Sequence, residues 1–157
     1  MKKEWVIKLA LVNDLERWMA FVKTVQNEFH GIDLINDKKF ISHIIKNIKR
    51  STAVYTEKPG SAEIIGAMTY SPNSLHIGWL AVGQAYRHRG IGTALVRHML
   101  VKFPDDTVFQ VKTFLESDIP GKTAHGFYQS LGFKPEEIVE DIENENAGHP
   151  FHLFIRK

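Results

Sequence analysis

Residues 4–11 (EWVIKLAL) are rich in strand formers and predict a first strand. Asn13 or Asp14 then supplies a helix cap. Leu15, Trp18, Met19, Val22 and Val25 recur at spacings of three and four, which predicts an amphipathic helix to about Phe29, ended by His30-Gly31. A second helix follows behind Asn36 or Asp37. Phe40, Ile41, Ile44, Ile45 and Ile48 form its apolar stripe, and Lys46, Lys49 and Arg50 sit late, where the helix dipole favours cations. Strands are predicted over 52–57, 63–70 and 75–82. Pro59-Gly60-Ser61 and Ser71-Pro72-Asn73 supply the turns between them, and connections this short imply antiparallel hairpins. A helix from about Gly90 to Phe103, a strand over 107–115, a helix over 122–131 and strands near 134–142 and 151–156 complete the pattern. The order β-α-α-β-β-β-α-β-α-β-β is an antiparallel meander feeding a βαβ crossover. It predicts an α/β (α+β) chain with a mixed, mostly antiparallel sheet of about seven strands and helices on both faces.

Length and composition narrow the class. A chain of 157 residues points to a single domain over 1–157 that buries roughly 70% of its unfolded surface. The formal net charge is +2, from 20 basic and 18 acidic residues, too balanced to argue for nucleic acid. The absence of cysteine excludes a disulfide, a thiolate nucleophile and a cysteine metal site. Met1-Lys2-Lys3-Glu4 resembles the start of a signal peptide, but Lys8 and Asn13-Asp14 interrupt the apolar stretch. No run reaches the roughly 20 apolar residues of a membrane span, and a cytoplasmic location is expected.

The stretch with most chemistry in it is Leu75–Leu100 (LHIGWLAVGQAYRHRGIGTALVRHML). A strand ends near Val82, a loop carries Arg87-His88-Arg89-Gly90-Ile91-Gly92-Thr93, and a helix begins. This arrangement aims backbone N–H groups at a phosphate, because the first-turn N–H groups of a helix lack intrahelical partners. Two glycines before a helix also make an ordinary tight turn. A dinucleotide-binding G-x-G-x-x-G is excluded by Leu95, and no Walker A lysine is present.

R-x-x-G-x-G after a strand ending in Leu80-Ala81-Val82 resembles the phosphate-binding motif of the GNAT acetyltransferase superfamily. Tyr128-Gln-Ser-Leu-Gly132-Phe133 is similar to that family's second landmark, Y-x-x-x-G-F, and the family's element order matches the one read above over essentially the whole chain. The resemblance implies an acetyl-CoA-dependent N-acetyltransferase acting by direct transfer in a ternary complex. The backbone of Arg87, His88, Arg89, Gly90, Ile91, Gly92 and Thr93 would bind the CoA pyrophosphate, and the pantetheine arm would pair with Leu80, Ala81 and Val82 where their strand splays from its neighbour at a bulge. The Leu80 N–H would meet the thioester oxygen, a contact worth about 3 kcal/mol by analogy with other oxyanion holes. Tyr128 would be the general acid toward the leaving thiolate and line the cofactor site. His76 stands where some relatives place a basic glutamate; Glu116, Asp118 or a water are alternatives. Gly121 replaces an asparagine common in relatives, and His125 reads as a plain helix residue.

The implied partner is a small-molecule or peptide amine, with no nucleic acid, membrane or metal involved; a homodimer is left open. His149 and His152 invite a metal reading, but positions three apart on a strand point to opposite faces. The acidic run Glu136–Glu145 reads as a solvated face or, alternatively, as an acidic rim favouring a cationic amine; for the basic second helix (Lys38, Lys39, Lys46, Lys49 and Arg50) solvation explains the charge at least as well as nucleic-acid binding. Two rival readings are a non-catalytic acyl-CoA sensor on the same fold and a nucleic-acid module using Arg87–Arg97.

Overall fold

The run Ile64–Ser71 is buried at seven successive positions and forms a strand near the middle of a seven-stranded sheet. A run apolar on both sides suits a strand covered by helices on both faces. The computed structural model describes residues 5–26, 33–114, 119–139 and 151–156. In chain order the elements are β1 (Lys8–Leu9), α1 (Leu15–Val25), α2 (Lys38–Lys49), β2 (Ala53–Glu57), β3 (Ile64–Ser71), β4 (His76–Val82), α3 (Ile91–Leu100), β5 (Phe109–Phe114), α4 (Ile119–Ser130), β6 (Lys134–Val139) and β7 (Phe151–Arg156). The sheet order is β1-β2-β3-β4-β5-β7-β6, with every pair antiparallel except β4–β5. The mixed, mostly antiparallel sheet expected from the sequence is therefore the one formed.

Each face of the sheet carries its own core. Trp18, Phe21, Val22 and Val25 of α1 and Ile44 and Ile48 of α2 pack on Ala53, Tyr55, Ala67, Trp79 and Ala81. On the other face Ile91, Leu95, Val96 and Met99 of α3 and Tyr128 of α4 pack on Val54, Ile65, Met68, Ile77, Phe109 and Val111. Gly66 sets how close α3 can come: a Cβ there would lie 2.5 Å from the Ile91 side chain. The first turn of α3 thus rests directly on the β3 backbone.

Element ends depart from expectation for local reasons. The first strand shrinks from residues 4–11 to Lys8–Leu9, because a 3-10 turn at Val12–Asp14 takes the chain off the sheet. Residues before it are tied by side chains instead: Thr56 Oγ1 donates to Val6 O (2.8 Å) and Trp5 Nε1 to Arg89 O (2.8 Å). Of the two proposed caps for α2, Asp37 serves, its Oδ1 accepting from Lys39 N and Phe40 N. Asp14 caps differently from expectation; its carboxylate turns back to Leu11 N (2.8 Å) and to Arg17 (2.6 Å). α3 ends at Leu100, and bonds from Lys102 and Phe103 three residues back tighten its last turn. α4 begins at Ile119, with Pro120 in the first turn, where its missing N–H costs nothing. The predicted end of the first helix, at Phe29, lies outside the described residues.

Arg17 fastens α1 to the sheet edge. Its guanidinium donates to Asp14, to Glu57 Oε2 (2.8 Å), to Tyr55 Oη (3.0 Å) and to Ala62 O, while Lys8 reaches Glu57 Oε1. The Lys8 ammonium holds the Glu57 carboxyl below the usual range, with Arg17 adding to it against burial. Burial alone would raise Asp14, but the Leu11 N–H and Arg17 outweigh it and hold that carboxyl low as well. Carboxyls depressed in the folded state stabilise it above their unfolded pKa values and cease to do so as pH falls through the folded ones.

Two outcomes follow from this packing. Replacing Gly66 with alanine lowers stability by about 1–3 kcal/mol in denaturant titration, because α3 must lift off β3. Glu57→Gln lowers stability at neutral pH by about 1 kcal/mol, the scale of a partly exposed network. Because the lost contribution is the part that vanishes in acid, the variant and wild type converge in thermal melts below the ordinary glutamate value of 4.5.

Candidate active site

β4 is paired with β3 along its whole length, from Ser71↔His76 to Gly66↔Val82. The register slips once: Thr69 faces Trp79 while Tyr70 faces Ile77, so Gly78 is an extra residue, a β-bulge. Ile77 consequently belongs to the α3/α4 core, whereas Trp79 and Ala81 belong to the α1/α2 core. Pairing of β4 with β5 stops at the same place, covering only His76↔Gln110 and Ile77↔Val111. Beyond Gly78 the two parallel strands diverge and leave a wedge. Gly83 N donates to Ile65 O (2.8 Å) on the β3 side. By the strand's period of two, the N–H groups of Val82 and Leu80 face the opposite way, onto the open edge, and that of Ala81 faces β3.

Gly78 is dictated by close approach. A Cβ there would fall 2.9 Å from Thr69 Oγ1 and 3.0 Å from the His43 ring. His43 Nε2 and Thr69 Oγ1 lie 2.9 Å apart, so the imidazole of α2 sits over the bulge. The burial of that ring, then the nearby His76 and Lys46, lower its pKa from the ordinary histidine value. His76 itself is half-buried at the start of β4, its Nδ1 bonded to Ser74 Oγ (2.5 Å).

The wedge runs into the turn before α3. A 3-10 turn at Gln84–Tyr86 leads to Arg87, whose Nε donates to Val82 O (3.3 Å). Gly90 caps α3 in the left-handed region at φ 85°, and His88 also holds a positive φ, 62°. For histidine that conformation costs of order 1 kcal/mol. The first intrahelical bond runs from Ala94 N to Gly90 O (2.9 Å). The N–H groups of Ile91, Gly92 and Thr93 therefore precede the ladder, at the positive end of the helix dipole. The Ile91 side chain is buried in the core, so it is an anchor and only its backbone can serve a ligand. His88, Arg89 and Gly90 are exposed; Arg89 lies over the Tyr86 ring, 5.6 Å from its centroid.

Tyr128 and the last turn of α4 close the other side. Phe133 N donates to Tyr128 O (3.0 Å) and Gly132 N to Gln129 O (3.1 Å), with Gly132 at φ 91°. This is a Schellman cap, completed by contact of the Tyr128 and Phe133 rings at 5.5 Å. Y-x-x-x-G-F is thus a helix-terminating unit that fixes the Tyr128 ring. Burial pushes the Tyr128 phenol well above its usual pKa, so it stays protonated at neutral pH. Phe127, beside it, lies against the α3 turn: a Cβ on Gly92 would fall 3.0 Å from its ring. Leu80, Val82 and Phe127 are partly buried on the core that contains Tyr128 and Ile91.

The structure thus gathers Leu80, Val82, the Arg87–Thr93 turn and Tyr128 on the α3/α4 side, with His76 on β4. His125 is buried in α4. Gly121 lies in the first turn of α4. Glu116, Asp118, His149 and most of the acidic run lie outside the described residues, whereas His152 pairs on β7 with Thr113 and Ile138. Gly66, Gly78, His43, Thr69 and Phe127 are positioning residues that sequence reasoning missed. An isolated glycine within a strand pattern was the available signal for Gly66 and Gly78; a lone histidine on an amphipathic helix gives none. Among the described residues no three His, Asp or Glu side chains are grouped to hold a metal, and no helix is long and apolar enough to cross a membrane.

Several solved structures share this architecture. An acetyltransferase of the GNAT family from Bacillus cereus ATCC 10987 is 20% identical with a TM-score of 0.72, covering 99% of this chain and 98% of that one. An agmatine N-acetyltransferase is 13% identical with a TM-score of 0.70, covering 98% and 99%. The PaiA N-acetyltransferase from Thermoplasma acidophilum, in complex with coenzyme A, is 16% identical with a TM-score of 0.66, covering 99% of each. At such identities the likeness establishes the fold. Comparison with curated protein sequences found no match. The model of the acetyltransferase (GNAT) family matches residues 11–133, which takes in the bulge, the wedge, the turn before α3 and the Tyr128 cap. This chain therefore belongs to the acetyltransferase (GNAT) family.

Proposed function

We propose that the chain is an acetyl-CoA-dependent N-acetyltransferase that passes the acetyl group to a primary amine by direct attack in a ternary complex. The observation that carries this reading is the open edge of β4, which leads from the Gly78 bulge straight to the α3 turn. A strand edge can pair with the amide-bearing pantetheine arm, and a helix start can take its pyrophosphate. The residues fit such a ligand: Gly90 aims the turn, Gly66 seats it, and Leu80 and Val82 turn their N–H groups to the wedge. The Leu80 N–H is the donor for charge developing on the thioester oxygen. The Tyr128 phenol supplies a proton to the departing sulfur, for which its raised pKa keeps it in the protonated form. An amine with a pKa near 10.4 is neutral in only about one molecule in a few thousand at pH 7, so a proton acceptor on the amine side of β4 completes the set. The neighbouring histidines at the bulge, His76 on β4 and His43 on α2, are the two candidates for it.

Calorimetric titration with acetyl-CoA is the direct test. Wild type binds close to one equivalent. Gly90→Pro, which cannot take φ 85°, and Gly92→Glu, which meets the Phe127 ring and adds negative charge, each weaken binding by about 100-fold or more. A folded wild type that does not bind acetyl-CoA overturns the proposal. Tyr128→Phe retains binding but lowers kcat by about 100-fold in a thiol-release assay. An unchanged kcat in that variant removes the general-acid role from Tyr128, whereas acetyl-CoA binding by wild type with no thiol release to any amine would favour the non-catalytic acyl-CoA sensor instead.

A further inference from the structure

The exposed side of α2 holds a shallow cavity of about 430 Å³ lined by Lys38, Lys39, Ser42, His43 and Lys46. Three of these side chains are ammonium groups, and none is a carboxylate. His43 is the member that also reaches the sheet. Its ring stacks on Phe40 (centroids 6.5 Å apart), rests over Gly78 and meets Thr69 Oγ1 through Nε2. Gly78 is the point at which β4 parts from β5, two residues before Leu80. One imidazole therefore borders both the cavity and the place where the acyl group would be presented.

The seat of His43 is built. Asn47, buried one turn on, donates through Nδ2 to His43 O (2.8 Å) and is itself held by Thr52 Oγ1 at its Oδ1 (2.7 Å). With Nε2 on Thr69, Nδ1 makes no hydrogen bond among the described residues. The titratable and charged groups that bear on the ring are His76 from β4 and Lys46 from its own helix; with burial, both disfavour the imidazolium. The ring is therefore neutral at pH 7, in the state that accepts a proton.

We infer that the α2 cavity is the acceptor subsite, that it takes an amine bearing a carboxylate or phosphate, and that His43 receives the amine's proton. The inference rests on the acetyl-transfer reading given above. The three lysines attract an anionic group and repel a second ammonium, so the wall favours an amine with a carboxylate or phosphate over a polyamine. In the step, the acceptor ammonium gives one N–H proton to His43. The free amine forms the C–N bond as the thioester C–S bond breaks with its electron pair on sulfur. Tyr128 protonates that sulfur and is restored through solvent by the second proton lost from nitrogen. The imidazolium releases its proton through the open cavity, so one proton is released per amide formed.

The test compares β-alanine, phosphoethanolamine, propylamine and spermidine as acceptors in a thiol-release assay. Acetyl-CoA affinity and melting temperature are measured on every variant. Wild type is expected to prefer β-alanine or phosphoethanolamine over propylamine and spermidine by about tenfold or more in kcat/KM. The triple variant Lys38→Gln/Lys39→Gln/Lys46→Gln brings the four within about threefold. His43→Gln lowers kcat for the preferred acceptor by about 100-fold and removes an acid limb of the pH profile lying below the ordinary histidine value of 6.5, while His76→Gln keeps that limb. Acetyl-CoA binding with propylamine or spermidine preferred, with no acceptor used, with the preference intact in the triple variant, or with the limb following His76, overturns this inference alone. Absence of acetyl-CoA binding by wild type overturns the enzyme reading with it.

Discussion

Gly78 occupies a point at which three groups compete for one volume. The Thr69 hydroxyl, the His43 ring and the backbone of β4 approach so closely that no side chain fits between them. The strand accommodates the crowding by carrying one residue more than its partner β3, and everything downstream follows from that slip. A bulge sharpens local twist, and pairing of β4 with β5 ends beside it. The side-chain alternation inverts, so Trp79 enters the α1/α2 core and Leu80 turns toward Tyr128's. An edge that a regular parallel pair would have consumed is left with its hydrogen-bonding groups facing a wedge.

Both ends of that wedge are helix termini stabilised by left-handed glycines. Gly90 opens α3 and Gly132 closes α4, and each lets the chain reverse without burying unsatisfied backbone. The termini touch through Phe127, whose ring lies against Gly92, while Ile91 is pressed onto β3 through the space left by Gly66. The turn before α3 is therefore held from two sides by packing. The first-turn N–H groups of α3 are set by that packing, and the His88 conformation is a small strain borne by it.

The two faces of the sheet hold different ionisable groups. Tyr128 lies in the α3/α4 core, where burial keeps its phenol protonated; His43 lies on the α1/α2 side, where burial and neighbouring cations keep its imidazole neutral. A protonated phenol and a neutral imidazole are thus set on opposite sides of one strand, with burial the first cause of both states.

Periodicity in the sequence was sufficient for the element order, because three- and four-residue spacing in α1 and α2 and continuous apolar runs in β3 report burial directly. The R-x-x-G-x-G and Y-x-x-x-G-F stretches were legible through their resemblance to a family's motifs, and the structure supplies the physical reason for two of their glycines, since Gly90 and Gly132 each hold a left-handed φ. The short first strand, the insertion of β7 between β5 and β6, and the bulge at Gly78 were settled by tertiary contacts. Pairing partners are distant in sequence, and a single glycine in a strand pattern does not say what crowds it. His43 was illegible for the same reason. On α2 it is one polar residue beside an isoleucine stripe, and only the folding of α2 over β4 brings its ring to Thr69 and to the strand's point of departure, since proximity across 26 residues is a property of the fold and not of either segment.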